Sequence, residues 1–242
     1  MEEFNKEASP YLRRTQLLNY TSKNIQKLID KRGWRNLKEL QKVKEVYGFV
    51  KDEILFGYNR SDEIPASEVL KDGYGQCNTK ATLLMALLRA VNIPNRIHGF
   101  TIDKELQKGA ITGVAYLLSP SSILHSWVEV LINGQWYFLE GVILDEKYLS
   151  SLQILNKGCT TTFCGYGVFT DKFQNPNVEW NLNHTMIQSL GINQDFGLFN
   201  TPDEFYEKHQ QDLSWIKKKM FQLVIRYQMN RNVISVRESK LG

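Results

Sequence analysis

The chain has 242 residues, 42% of them hydrophobic and 23% charged, with a formal net charge of +4. That length can bury a substantial core in one large domain or two small ones. So small a charge gives no reason to expect a nucleic-acid partner, no run of about 18 apolar residues is present to span a membrane, and three cysteines are too few for a disulfide scaffold. The acidic, polar start Met1–Asn5 has no basic stretch leading into an apolar run, which argues against a secretory signal. The expected setting is a reducing cytoplasm, with signal-independent export left open, and no membrane partner is expected.

In chain order, residues 10–32 read as a helix carrying Leu12, Leu17, Leu18, Ile25, Leu28 and Ile29, with Gly33 as its stop. A second helix over 36–55 places Leu37, Leu40, Val43, Val46, Val50 and Ile54 on one stripe. Together they are expected to form an N-terminal helical layer over 10–55. Residues 65–70 read as a short helical turn. It leads into Gly73-Tyr74-Gly75-Gln76-Cys77, where two glycines permit tight turning and close approach. From Cys77 onward Ala81, Leu84, Leu88 and Val91 recur at helical spacing, with Leu83, Leu87 and Ala90 as a second flank. A helix apolar over so much of its circumference is expected to be buried. Cys77 then sits in its first turn, where unpaired N–H groups and the dipole favour a thiolate. Taken alone, the same residue also reads as a small apolar side chain entering a core helix.

Asn92-Ile93-Pro94 ends that helix, Arg96–Phe100 reads as a strand, 103–109 as a loop and 111–118 as a further strand. The plainest local signal is a hairpin. His125–Ile132 is rich in β-branched and aromatic residues, Asn133-Gly134 is a two-residue turn, and Gln135–Val142 returns. Pairing Ile132 with Gln135 sets Trp127 opposite Glu140 and His125 opposite Val142, all on one face. Glu140 becomes the diagonal neighbour of His125, about 7–8 Å away by backbone and within side-chain reach. A short helix is expected over 147–155. Residues 157–200, rich in Gly, Asn, Thr and aromatics without a sustained period, read either as a cap or lid over a site or as packed surface loop. Thr201-Pro202-Asp203-Glu204 starts a helix expected to reach about Met229. Lys217, Lys218 and Lys219 on it read as a solvated face.

A cysteine at a helix start, a histidine opening a strand and a carboxylate on the next strand form a nucleophile, base and orienter. The pieces that carry this order resemble the transglutaminase-like superfamily of thiol enzymes. They are Gly73–Cys77 with its helix, Ala90–Arg96 as the helix end, His125–Val130 as the histidine strand, and Trp136 followed four residues later by Glu140. The resemblance covers about residues 45–150. It implies an α+β fold, with an antiparallel sheet packed on the nucleophile helix and flanking helices. The whole of 1–242 is expected to be a single transglutaminase-like domain with a C-terminal cap and helix over 157–240. It also implies a cofactor-independent enzyme that attacks an amide or peptide carbonyl through a thioester. Cys77 would be the nucleophile, His125 the general base and acid, and Glu140 the orienting acid. Peptide hydrolysis is favoured over acyl transfer, and the substrate expected is a protein or peptide.

The family usually has Asp followed by proline where Glu140-Gly141 stands, so Asp145 is carried as a substitute. For the oxyanion, the Cys77 N–H is one donor, and Gln76, Tyr58 and Trp127 are the candidates for the second. The alternative reading is a catalytically inactive member that keeps the fold as a protein-binding module. Cys159 and Cys164 lack paired metal-ligand spacing and read as ordinary thiols, so no metal is expected. His98 reads as a structural histidine, His184 as a remote candidate for substrate contact and His209 as a surface residue. The oligomeric state is not legible.

Overall fold

The computed structural model describes residues 9–239 except 212. After a 3-10 turn at Pro10–Leu12 come α1 (Lys23–Arg32), α2 (Glu39–Gly48, prolonged by a π-turn to Glu53), β1 (Leu55–Phe56), α3 (Ala66–Asp72), β2 (Tyr74–Gly75) and α4 (Cys77–Ala90). Then follow β3 (Asn95–Asp103), α5 (Gly113–Leu118), β4 (Ser122–Ile132), β5 (Gln135–Phe138), α6 (Glu146–Leu155), β6 (Phe163–Gly165), β7 (Val168–Thr170) and β8 (Ile192–Phe199). The chain closes with α7 (Pro202–Lys208), α8 (Trp215–Met220), a π-turn at Phe221–Ile225 and α9 (Arg226–Glu238). The fold is α+β, as expected.

Strands β5-β4-β3-β8 form an antiparallel sheet. α4 packs on β3 and β4, while α1, α2 and α3 pack on α4. That sandwich explains the unbroken apolar circumference read from the sequence: every residue from Asn78 to Arg89 is buried. Polar members of the run find internal partners. Arg89 donates to Asn95 Oδ1 (3.2 Å) and to the carbonyls of Asn95 (2.9 Å) and Asn200 (2.5 Å), which ties the end of α4 to the start of β3 and the end of β8.

Three expectations are corrected and a fourth is refined. The 10–32 segment is helical only at its two ends, with α1 beginning at Lys23. Residues 113–118 form α5 rather than a strand, with Val114 and Leu117 exposed while Ala115 and Tyr116 pack against the core. The 157–200 segment, read as either a lid or packed surface loop, is packed and partly regular, and its Gly167 and Gln188 border the cleft with Cys77. Phe173 and Ile187 are fully buried, and β8 is an integral strand of the sheet. Finally, the 201–229 helix is broken between Lys208 and Trp215, where Ser214 caps α8 by accepting from Lys217 N.

Candidate active site

The glycines before Cys77 have separate reasons. Gly73 ends α3 at φ +72°, a left-handed conformation that L side chains rarely adopt. At Gly75 a Cβ would lie 2.7 Å from Thr79 Oγ1 and 3.0 Å from Lys80 Cγ, so the chain can enter α4 only without a side chain. Gln76 is the N-cap, and its N–H donates to Thr79 Oγ1 at 3.0 Å. Cys77 is thus the first residue of α4, partly buried, with its own N–H and that of Asn78 directed at the sulfur.

Asn78 fixes this helix end against the histidine. Its Nδ2 donates to the Leu124 carbonyl (3.1 Å), and its Oδ1 accepts from Ser126 Oγ (2.9 Å). One side chain therefore grips both neighbours of His125, which brings the first turn of α4 alongside it. His125 and Glu140 are both fully buried and joined at 2.9 Å between Nε2 and Oε1. The second carboxylate oxygen accepts from the N–H groups of Ile187 (2.8 Å) and Gln188 (3.0 Å). A buried carboxylate is tolerated only when so bonded. The remaining ring nitrogen, His125 Nδ1, is buried with no hydrogen-bond partner among the described residues, and no hydrogen bond joins it to Cys77.

The hairpin register holds from Ile132–Gln135 to Glu129–Phe138 and then stops. Trp127 does not pair with Glu140, nor His125 with Val142. Glu140 opens a 3-10 turn over Glu140–Ile143 instead, its N–H donating to the Thr185 carbonyl. The diagonal reach to His125 survives because the turn swings the carboxylate under the imidazole. Asp145, the substitute, is not there. It caps α6 through Tyr148 N (3.0 Å), accepts from Phe56 N (2.8 Å) and pairs with Arg237 through both its oxygens at 2.7 and 3.1 Å.

The second-donor candidates sort differently. Gln76 Nε2 is committed to Asp62 Oδ1 at 2.8 Å, and its Oε1 accepts from Asn59 N. Trp127 stacks on Phe138 and packs on Phe100, with Nε1 leaning towards Glu129. Tyr58 is buried beside Cys77, in the same cleft. A residue missed by the sequence reading is Tyr206 on α7. It is 3% exposed, borders the cleft with Cys77, and its hydroxyl has no partner among the described residues. Burial, with the Asp62 carboxylate nearby, holds that hydroxyl well above the usual tyrosine range and so protonated as a donor. The available signal was faint, since Phe205-Tyr206 reads simply as core, although a buried tyrosine hydroxyl ordinarily finds a partner.

The cleft encloses about 260 Å³. Asp62, Gln76, Cys77 and Tyr206 border it, and apolar side chains such as Ile102, Ile123 and Phe221 supply much of the remaining wall. Its electrostatics run against the expectation of a ready thiolate. Burial pushes the Cys77 thiol up, and the carboxylates of Asp62 and Glu140 push it the same way, outweighing the two backbone N–H groups. Burial also raises Asp62, against the donors of Gln76 and Asn78. Asp62→Asn is therefore expected to speed alkylation of Cys77 by iodoacetamide several-fold near pH 8, since removing a negative charge lowers the thiol pKa. Timed peptide mapping by mass spectrometry measures this. An unchanged or slower rate defeats the electrostatic account.

The other candidates lie elsewhere. His98 bridges Glu129 (3.0 Å) and Asp195 (2.8 Å), His184 Nδ1 accepts from Phe138 N (3.1 Å), and His209 stacks on Phe196. Cys159 and Cys164 are free.

A sequence model described as the transglutaminase-like superfamily matches residues 7–141, more than half of the chain. The chain belongs to the transglutaminase-like superfamily. Its Cys77, His125 and Glu140 all fall within the matched span, whereas Tyr206 and the amides that hold Glu140 lie beyond it. Among solved structures, the "putative cysteine protease" of Cytophaga hutchinsonii is 14% identical, with a TM-score of 0.45 over 81% of this chain and 47% of that one. Red sea bream transglutaminase is 16% identical, with a TM-score of 0.30 over 51% of this chain and 25% of that one. The transglutaminase-like chain thus spans less than half the length of these two structures. No curated protein matches the sequence. Among the described residues no helix is long and apolar enough to cross a membrane.

Proposed function

We propose that the protein is a cysteine enzyme that opens an amide or peptide bond through a thioester on Cys77, with hydrolysis as the favoured outcome. The observation that carries this reading is the buried His125–Glu140 pair beside the first turn of α4, with Nδ1 of the imidazole unpartnered. Glu140 accepts from Nε2–H, which leaves Nδ1 as the basic nitrogen. Nδ1 takes the proton of the neutral thiol as sulfur attacks the carbonyl. It returns that proton to the leaving amine, and water then hydrolyses the thioester by the same route in reverse. The developing oxyanion meets the Cys77 N–H and the Tyr206 hydroxyl. Because the resting thiol is held protonated, catalysis here relies on base assistance at the moment of attack.

The second reading, a binding module without catalysis, is favoured by that same raised thiol and by the missing Cys77–His125 hydrogen bond. A panel of fluorogenic peptide amides, assayed with and without a primary amine, separates the two. Turnover that vanishes in Cys77→Ala supports the enzyme, and amine incorporation would move the reading from hydrolysis to acyl transfer. No turnover, together with peptide binding undiminished in Cys77→Ala, would establish the module. Within the enzymatic reading, Tyr206→Phe is expected to lower kcat about 10²-fold with little change in KM, the usual cost of one oxyanion donor. A loss confined to KM would assign Tyr206 to substrate binding instead.

A further inference from the structure

Residues 215–238 form one continuous helical run, α8 passing through the π-turn into α9. Its far end is anchored by the buried Met229, Val233 and Val236, with α9 packed on α6, and Phe221 and Ile225 pack partly buried against the core. The near half displays large apolar side chains to solvent, Trp215 at 72% exposure and Leu223 at 70%, with Ile216, Val224 and Tyr227 also more than half exposed. Gln228 Nε2 meets Thr112 Oγ1, the N-cap residue of α5, at 3.4 Å, so α5 lies alongside and adds Val114 and Leu117 at 69% and 74% exposure. Contiguous exposed apolar surface of this kind marks an interaction site.

Charge identifies the partner. From 215 to 238 the run holds six of the chain's 30 basic residues and one of its 26 acidic ones, Glu238 at its far end. The remainder carries 24 basic against 25 acidic residues, so the positive charge of the whole chain resides in this helix. Lys217, Lys218, Lys219 and Arg231 are exposed on it, and only Arg237 is buried, against Asp145. Large apolar residues including Trp and Tyr, flanked by Lys and Arg with no acid among them, are the composition of a helix that lies in a bilayer interface. We propose that the α5–α8 face docks on the surface of an anionic phospholipid bilayer. Such a helix lies on the membrane instead of spanning it, so the lack of a spanning segment does not count against it. Lys217, Lys218, Phe221 and Ile225 of this run border the cleft that holds Cys77, whereas Trp215, Ile216, Leu223, Val224 and Tyr227 do not, and the proposal stands whether or not the Cys77 chemistry occurs.

The test is flotation of the intact chain with vesicles of phosphatidylcholine alone and of phosphatidylcholine mixed with phosphatidylglycerol. Binding is expected only to the anionic vesicles, weakening as salt rises. It should fall at least tenfold in Leu223→Glu and in the double variant Lys218→Glu/Lys219→Glu, both placed at exposed positions so that the fold persists. Absence of binding, or equal binding to neutral vesicles, overturns the proposal. So does self-association in sedimentation velocity that Leu223→Glu abolishes while vesicle binding is absent, since the face would then join two copies of the chain.

Discussion

Glu140→Gln is expected to reduce kcat by about four orders of magnitude while leaving the fold in place. The reason is tautomeric. The outer oxygen of residue 140 must go on accepting from Ile187 and Gln188 N–H, so the new NH2 group points at His125 Nε2. That nitrogen becomes an acceptor, the ring proton moves to Nδ1, and the nitrogen needed by the thiol can no longer take a proton. Asp145→Asn is expected to do the reverse. Asn can still cap α6, but Arg237 keeps a buried charge whose carboxylate partner is gone, a loss of about 3 kcal/mol in stability with turnover nearly unchanged. Turnover of the best fluorogenic peptide and thermal melts of both variants check this. A silent Glu140→Gln beside an inactive, fully stable Asp145→Asn would reverse the assignment.

Lys80→Met is expected to stabilise the protein markedly at pH 6 and hardly at all at pH 10. Lys80 is fully buried on α4, and its amine meets only the Lys51 carbonyl at 3.0 Å among the hydrogen bonds of the described residues. Burial lowers its pKa from 10.5 to about 7, against the opposing pull of Asp145 and Asp52. The folded state therefore binds fewer protons than the unfolded chain between pH 7 and 10.5. In that window stability rises with pH, and below pH 7 the whole penalty is present. At about 1.4 kcal/mol per pH unit, the shift from 10.5 to about 7 makes the penalty about 5 kcal/mol. Removing the amine relieves it but leaves the Lys51 carbonyl unpaired, a cost of about 1 kcal/mol. The net gain should fall towards zero as pH approaches 10. Melting temperatures of both proteins across that range check this, and a pH-independent difference would mean that Lys80 is not held neutral by burial.

The sequence displayed best what depends on short-range rules. Asn133 and Gly134 adopt φ of 50° and 78°, as a two-residue hairpin turn requires, and the register followed from them for four pairs. Helix α4 was plain because its burial on all sides shows in its composition. Glu140 was reached by a partly wrong route: the strand ends at Phe138, but the position four residues after Trp136 still held the acid. What stayed hidden depends on distant partners. The amides of Ile187 and Gln188 grip Glu140 through backbone, which leaves no side-chain signature. The raised pKa of the Cys77 thiol follows from its burial and then from Asp62, both of which depend on tertiary packing. The 111–118 segment was misread because Ile111 and the apolar run over 114–118 resemble a strand, while Gly113, at φ +62°, lets the chain turn into a helix with two of those residues in solvent.

The grip on Glu140 also sets an order of events. As the chain leaves the ribosome, Cys77, His125 and Glu140 have all been made well before Ile187 and Gln188 appear. Until those two amides arrive, one carboxylate oxygen has no donor, and a buried ionised carboxylate in that condition is costly. The Glu140 carboxylate that meets His125 is therefore not held by these amides until the chain has been made through Gln188. On the proposed function, the thiol would stay without its oriented base until that point in synthesis.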